Sequence, residues 1–288
     1  MLRLGMLGSD GGAKGGHAAL VSKIINQGEY DAKIVAVCGN DRAESEELAN
    51  AMDMEFVADK PEELLGKVDA VMVMHRNGNY HLENALPFIQ KGLPVFIDKP
   101  FTCTVKDAEK LAEELAKNGS VICGGTYAKY APEVQELKKK VKEKKILSGY
   151  VSFPLSPDTE YGGIHFYSHH LIEEMLTVFG ENVISITSSK VGDNLVVIAK
   201  YPDFPVIMNY ASNYGGLHIG AYFDDDTSVM ASPQIFGHDV HQCEEFLKAI
   251  ESGKGESAEY FVKAVKISNG ILKSLEKKSE IILEEEEL

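Results

Sequence analysis

Apolar positions over the first 125 residues alternate between two patterns. Strand-like runs at 4–7, 33–38, 69–74, 94–98 and 120–123 have the largely continuous apolar character expected of strands buried on both faces. Between them, stretches 17–27, 43–52, 80–91 and 105–117 carry a single apolar face at helical spacing, as with Leu20, Val21, Ile24 and Ile25. Gly28, Gly92 and Gly119 fall where helix C-termini are expected. The alternation implies a doubly wound parallel sheet with one helix in each crossover, an α/β domain over residues 1–124.

After Gly124-Gly125 the pattern changes. Helical spacing is expected over 132–145 and 169–179, the latter with a stripe of Leu171, Ile172, Met175, Leu176 and Phe179. Strand-like segments follow at 183–190, 195–200, 206–212, 216–223 and 227–231, separated by turns such as Gly192-Asp193-Asn194. Helices over 239–252 and 258–275 close the chain. Consecutive strands with short turns imply a mostly antiparallel open sheet, hence an α+β second domain over 125–288. One face of such a sheet is available to a second subunit, and Tyr210, Tyr214 and Tyr222 are candidates to line it, which points to a homo-oligomer, a dimer or tetramer.

Composition narrows the classes. The chain has 288 residues and a formal net charge of −15, which argues against a phosphate-backbone partner and so against nucleic acid. The one basic run, Lys138-Lys139-Lys140 with Lys142, Lys144 and Lys145, shares its helix with Val134, Leu137 and Val141 and reads as a solvated face. No stretch approaches a membrane span, and Met1-Leu2-Arg3-Leu4 runs directly into a strand, leaving no room for a signal peptide. Cys38, Cys103, Cys123 and Cys243 have no CxxC spacing and fit the reduced thiols of a cytoplasmic protein.

Three places carry chemistry. The first strand-to-helix turn is Gly8-Ser9-Asp10-Gly11-Gly12-Ala13-Lys14-Gly15-Gly16-His17; glycines there let backbone N–H groups and a helix N-terminus approach a pyrophosphate. The second strand ends in Gly39-Asn40-Asp41-Arg42, where Asp41 would suit a ribose 2′-hydroxyl and Arg42 a 2′-phosphate, so for a dinucleotide bound here both NAD and NADP stay open. At the end of the fourth long strand, Asp98-Lys99-Pro100 delivers a carboxylate, an ammonium and a rigid turn to the sheet edge where ligands bind. His75 and His81 lie on the same side, suited to cofactor contact or helix capping. Farther on, Tyr161-Gly162-Gly163 leads to His165, Phe166, His169, His170 and Glu173. A histidine there suits proton exchange; structural capping, or a metal held by His165, His169 and Glu173, are the other readings, and no metal is assigned.

These motifs together resemble the Gfo/Idh/MocA family of nicotinamide-dependent oxidoreductases. Asp98-Lys99-Pro100 is similar to its Glu-Lys-Pro hallmark, Lys129-Tyr130-Ala131-Pro132 to its Arg-Tyr-x-Pro element, and the segment ending in His170-Leu171-Ile172-Glu173 to its Gly-Gly-x-x-x-Asp-x-Gly-x-His-x-x-Asp element. Asp10 stands where the family has its second loop glycine, and Phe166 where it often has an aspartate. The resemblance implies a Rossmann-type first domain and an NAD(P)-dependent dehydrogenase acting on a sugar, cyclitol or related polyol. Lys99 and His170 would be catalytic. Gly8, Ser9, Asp10, Gly11, Gly12, Asn40, Asp41, Arg42, His75, His81, Asp98 and Lys99 would contact the cofactor, and Lys99, Tyr127, Lys129, Tyr161, His165, His169 and His170 the substrate. Two other functions stay open: a catalytically silent nucleotide-binding sensor or partner subunit, and an enzyme using NAD transiently for elimination or glycoside cleavage.

Overall fold

The computed structural model describes residues 1–154, 159–211, 216–234, 237–285 and 288. In the first unit the elements run β1 (Leu2–Leu7), α1 (His17–Gln27), β2 (Ala32–Cys38), α2 (Arg42–Ala51), β3 (Phe56–Val57), β4 (Ala70–Val73), α3 (His81–Ile89), β5 (Val95–Asp98), α4 (Val105–Asn118) and β6 (Ile122–Gly125). All six strands pair in parallel, in the order β3-β2-β1-β4-β5-β6. Strand order reverses at β1, so the carboxyl ends of β1 and β4 flank the crevice in which such sheets bind ligands. Every residue of β4 and β5 is buried, as continuous apolar runs require.

The second unit holds α5 (Pro132–Glu143), β7 (Ile146–Pro154), α6 (Ile164–Phe179), β8 (Ser185–Val191), β9 (Asn194–Lys200), β10 (Pro205–Ala211), β11 (His218–Phe223) and β12 (Ser228–Ala231); after α7 (Asp239–Ser252) come α8 (Ala258–Lys277) and β13 (Ile281–Ile282). Its sheet has the order β12-β11-β7-β10-β9-β8-β13. Only the β7–β10 pair among these is parallel. The fold class is thus the expected one, a parallel sheet followed by a mixed, mostly antiparallel sheet. Among the described residues no helix is long and apolar enough to cross a membrane.

Several expectations need correction. Strand β7, near the middle of the second sheet, was not anticipated: Gly149 and Pro154 interrupt its apolar alternation, yet Val151 and Phe153 are buried. A Cβ on Gly149 would lie 2.6 Å from the Phe179 ring, so glycine is what lets α6 approach the sheet. Helix α6 begins at Ile164, five residues earlier than the apolar stripe suggested. Helix α7 does not stay with residues 125–288; residues 239–259 group with 1–102 and 106–125, because Cys243, Phe246 and Ala249 belong to the first unit's core and Phe246 packs edge-on to Phe96 at 5.6 Å. Tyr210 does not line the open sheet face: it is fully buried, with its hydroxyl toward the Ser168 carbonyl. Tyr222 is exposed, and Tyr214, like Ser212 at the expected strand end, lies outside the described residues. The open face instead carries a row that register places across five strands, Met230, Gly220, Tyr150, Ile207 and Ile198, of which Met230, Ile207 and Ile198 are exposed.

Candidate functional site

The glycine loop is built to be approached. Gly8 has φ +108°, and a Cβ there would sit 2.6 Å from the His75 backbone nitrogen; only glycine lets β1 end this close to the chain after β4. Helix α1 starts behind Gly16, no described side chain caps it, and its first turn holds no acidic residue. Its positive dipole end therefore favours an anion, which is the fit a dinucleotide pyrophosphate needs. Asp10, in the second-glycine position, does not oppose this: its Oδ2 accepts the Arg76 backbone N–H at 2.6 Å. The Arg76 guanidinium lies 3.2 Å from where a Gly16 Cβ would be, so a cation accompanies the loop. Arg76 escaped the sequence reading, and its position just past the β4 apolar run was the available signal.

At the end of β2 the two specificity candidates are already engaged. Asp41 caps α2, its Oδ1 accepting from Ala43 N–H (2.7 Å) and Glu44 N–H (3.0 Å). The Arg42 guanidinium reaches Glu46 (2.8 Å) and Asp59 (2.6 Å). Gly39 stands where the ribose carboxylate was expected, with Asn40 beside it on the surface. Ser9 and Ser45, hydroxyl to hydroxyl at 2.9 Å, fill the volume a side chain at Gly39 would take.

The end of β5 carries the densest charge. Asp98 and Lys99 are both buried. His17, the first residue of α1, sits between two carboxylates: Nδ1 forms an ion pair with Asp98 Oδ2 at 3.0 Å, and Nε2 lies 2.6 Å from Oδ1 of Asp239, the first residue of α7. Burial opposes charge on His17, but Asp98 and Asp239 outweigh it and hold the imidazole up at about 9. Burial likewise opposes the Asp98 charge, while His17, then Lys99, brings that carboxyl down to about 2. His81 bridges two loops, with ring nitrogens 3.2 Å from the Phe101 carbonyl and 2.8 Å from the His75 carbonyl, which makes it a structural staple. Burial, with His81 nearby, lowers His75 to about 3, so it stays neutral.

In the second unit, His170 is held on three sides. Its Nδ1 is 2.6 Å from the Thr126 hydroxyl. Its ring stacks on Phe153, with centroids 5.0 Å apart, and meets Tyr127 edge-on at 5.5 Å. The Thr126 oxygen also accepts the Ala128 N–H, and Glu173 Oε2 accepts the Thr126 N–H at 2.9 Å. A hydroxyl suits a histidine that changes protonation, since it donates to a bare Nδ1 and accepts from a protonated one. Thr126 was not anticipated; its place as N-cap of the turn Tyr127–Tyr130 was the available signal.

The remaining candidates scatter. His165 Nδ1 meets Ser268 Oγ at 3.0 Å, and burial lowers it to about 4, so it anchors α8. His169 is fully buried, 3.8 Å from Glu173. Among the described residues no three His, Cys, Asp or Glu side chains gather closely enough for a metal ion, which leaves the His165, His169 and Glu173 set without one. The Lys129 ammonium is buried near the rings of Tyr130, Tyr260 and Phe261, at 5.4, 5.4 and 5.5 Å. Tyr161 and Tyr167 flank Phe166 at 5.2 and 4.6 Å, so the position where a carboxylate is common is here aromatic.

Comparison with known proteins agrees with this geometry. Residues 2–126 match the family model GFO_IDH_MocA, described as an oxidoreductase family with an NAD-binding Rossmann fold. No curated protein matches the chain by sequence. Among solved structures, a probable dehydrogenase from Thermotoga maritima superposes with TM-score 0.84 at 21% identity, covering 99% of both chains. Scyllo-inositol dehydrogenase from Lactobacillus casei, solved with NAD(H) and scyllo-inositol, gives 0.84 at 13% identity over 99% of each chain. Myo-inositol dehydrogenase from Lactobacillus casei, solved with NAD(H) and myo-inositol, gives 0.84 at 16% identity over 98% of this chain and 96% of that one.

Proposed function

We propose, from the premise that residues 2–126 belong to the NAD-binding Rossmann domain of the Gfo/Idh/MocA oxidoreductases, that this protein is an NAD-dependent dehydrogenase. It moves a hydride between nicotinamide and a secondary alcohol or its ketone, on a cyclitol, sugar or related polyol. The observation that carries the reading is the pairing of a glycine-lined, uncapped α1 terminus with a buried Lys99 on the same sheet edge of the first unit. Structural neighbours solved with NAD(H) and an inositol support a polyol as the substrate class.

The backbone of Gly8, Ser9, Gly11 and Gly12, with the first turn of α1 and Arg76, would hold the pyrophosphate. NAD, when bound, supplies the hydride acceptor at its nicotinamide ring. Lys99 directs an ammonium at the reacting oxygen and stabilises alkoxide character. His170 exchanges the hydroxyl proton, its tautomer governed by Thr126 at Nδ1. Tyr127, which touches His170, and Tyr161 are candidates for substrate hydroxyls. The exposed apolar row of the second sheet supports a homo-oligomer, and four buried thiols support a cytoplasmic setting.

The test is direct. NAD is titrated onto the purified protein, and reduced-nicotinamide absorbance is followed with a panel of inositols and sugars. Lys99→Met should lower turnover by roughly 10³-fold, in the range of lost charge stabilisation at a reacting oxygen, while NAD still binds. Turnover near that of the unaltered protein, or no binding of either NAD or NADP, would overturn the reading.

A further inference from the structure

His17 is a charged group that the reaction does not use directly. It is buried between Asp98 of β5 and Asp239 of α7, and no local pattern required it there, since Asp239 lies 222 positions away. Three backbone elements end at this imidazole: the glycine loop, the strand that delivers Lys99, and the returning helix. Asp98 adjoins Lys99 in sequence and in charge, with Lys99 and His17 both favouring its ionised form and His81 also within its field. With His17 protonated, one positive charge stands between two carboxylates; without it, the Asp98 carboxylate loses that partner while it still acts on the Lys99 ammonium next door.

We infer that His17 is a positioning residue for Lys99: its imidazolium, clamped by Asp98 and Asp239, neutralises the Asp98 carboxylate and so sets the charge at the carboxyl end of β5. The inference rests on Lys99 being the group that polarises the reacting oxygen, and part of its test does not.

That part is nuclear magnetic resonance of the cofactor-free protein labelled at histidine Cε1 and lysine Cε. His17 should titrate near pH 9, against the ordinary 6.5. Asp239→Asn removes one carboxylate at little change of shape, and should move the His17 midpoint to lower pH. In His17→Gln the Lys99 resonance, assigned by its loss in Lys99→Met, should titrate at higher pH, because a cation has left its surroundings. In turnover, the alkaline fall of kcat near pH 9 should move to lower pH in Asp239→Asn. His17→Gln should lose about tenfold in kcat, with KM for NAD within about twofold, as expected for an interaction acting mainly at the transition state. Should His17→Gln fold poorly, Asp239→Asn carries the test. A His17 midpoint near 6.5, or a Lys99 titration and pH profile indifferent to these changes, overturns the inference. Both resonance shifts without turnover of any polyol would support the clamp and defeat the substrate reading alone.

Discussion

The carboxyl edge of the first sheet and helix α6 of the second unit bury titratable groups in opposite ways. At the sheet edge each buried or strand-end acid has a positive or N–H partner: Asp98 has His17, Asp10 the Arg76 N–H, and Asp41 the first turn of α2. Along α6, His169 and Glu174 are fully exposed to nothing but protein. Among the described residues, neither nitrogen of His169 and neither oxygen of Glu174 has a hydrogen-bond partner. Burial, reinforced by Glu173, pushes the Glu174 carboxyl well above the usual range, so it is held protonated. One region keeps charge by pairing it, and in the other burial beside Glu173 drives a single carboxyl, Glu174, towards its neutral form. The difference fits the roles proposed: an ammonium needs fixed charges around it, whereas a proton-exchanging imidazole is best left among neutral partners.

The largest expected effect breaks the α6 side of this contrast. The folded chain keeps a proton on Glu174 that the unfolded chain releases above about 4.5. Stability therefore falls as pH rises from that value towards the raised folded one. Glu174→Leu removes both the buried orphan and the proton uptake, and should stabilise the protein at pH 7 by roughly 2–3 kcal/mol. Denaturant midpoints between pH 4 and 8 check it: the variant should lose the acid-to-neutral decline that the parent shows. The sheet edge should do the reverse at its own limits. His17, raised to about 9, contributes stability that is whole below 6.5 and lost as pH rises through 9. Asp98, lowered to about 2, contributes stability present above 3.8 and lost as pH falls through 2.

A smaller effect addresses the neutral partner of His170. Thr126→Val keeps the shape and deletes the hydroxyl at Nδ1. It should lower kcat by roughly 30-fold, in the range of a lost catalytic hydrogen bond, with KM for NAD unchanged; Thr126→Ser should restore most of it. A structural role alone would lower the unfolding midpoint without this split between kcat and KM. Equal loss in the valine and serine variants would remove Thr126 from the proton-exchange reading.

How much of this was legible depended on the range of the interaction. Strand β5 and its Asp98-Lys99-Pro100 end could be read because an apolar run and a turn are local. Helix α6 was legible in its apolar stripe but not at its start, because Gly162 and Gly163 stand directly before Ile164 and no capping side chain among the described residues marks the first turn. Strand β7 was missed because Gly149 serves the close approach of Phe179, a demand no neighbour in sequence reveals. His17 was visible as the end of a glycine loop, but its second carboxylate comes from α7, and nothing in the order of the chain shows that this helix returns to the first sheet. Thr126 illustrates the same limit: a cap residue is easy to recognise, while its second bond, to a histidine 44 positions on, is not.

The smallest expected effect sharpens the account of cofactor choice at the end of β2. Asp41 was one candidate for the ribose and Arg42 the other, yet Asp41 accepts two N–H groups of α2 and Arg42 is shared between Glu46 and Asp59. If capping is what Asp41 does, Asp41→Asn should cost only a few tenths of a kcal/mol, because asparagine caps about as well as aspartate, whereas Asp41→Ala should cost about 1 kcal/mol. Affinity for NAD should then stay within about twofold in the asparagine variant, since an amide still accepts from the same N–H groups and no ribose contact is lost. A tenfold loss of NAD affinity with unchanged stability would instead mean that the carboxylate reads the 2′-hydroxyl. The same titration with NADP weighs the neighbourhood as a whole. Glu46 and Asp59 already hold the Arg42 guanidinium and Asp41 keeps its carboxylate at the start of α2, so a 2′-phosphate would meet net negative charge, and NAD should bind more tightly even without an acid at Gly39.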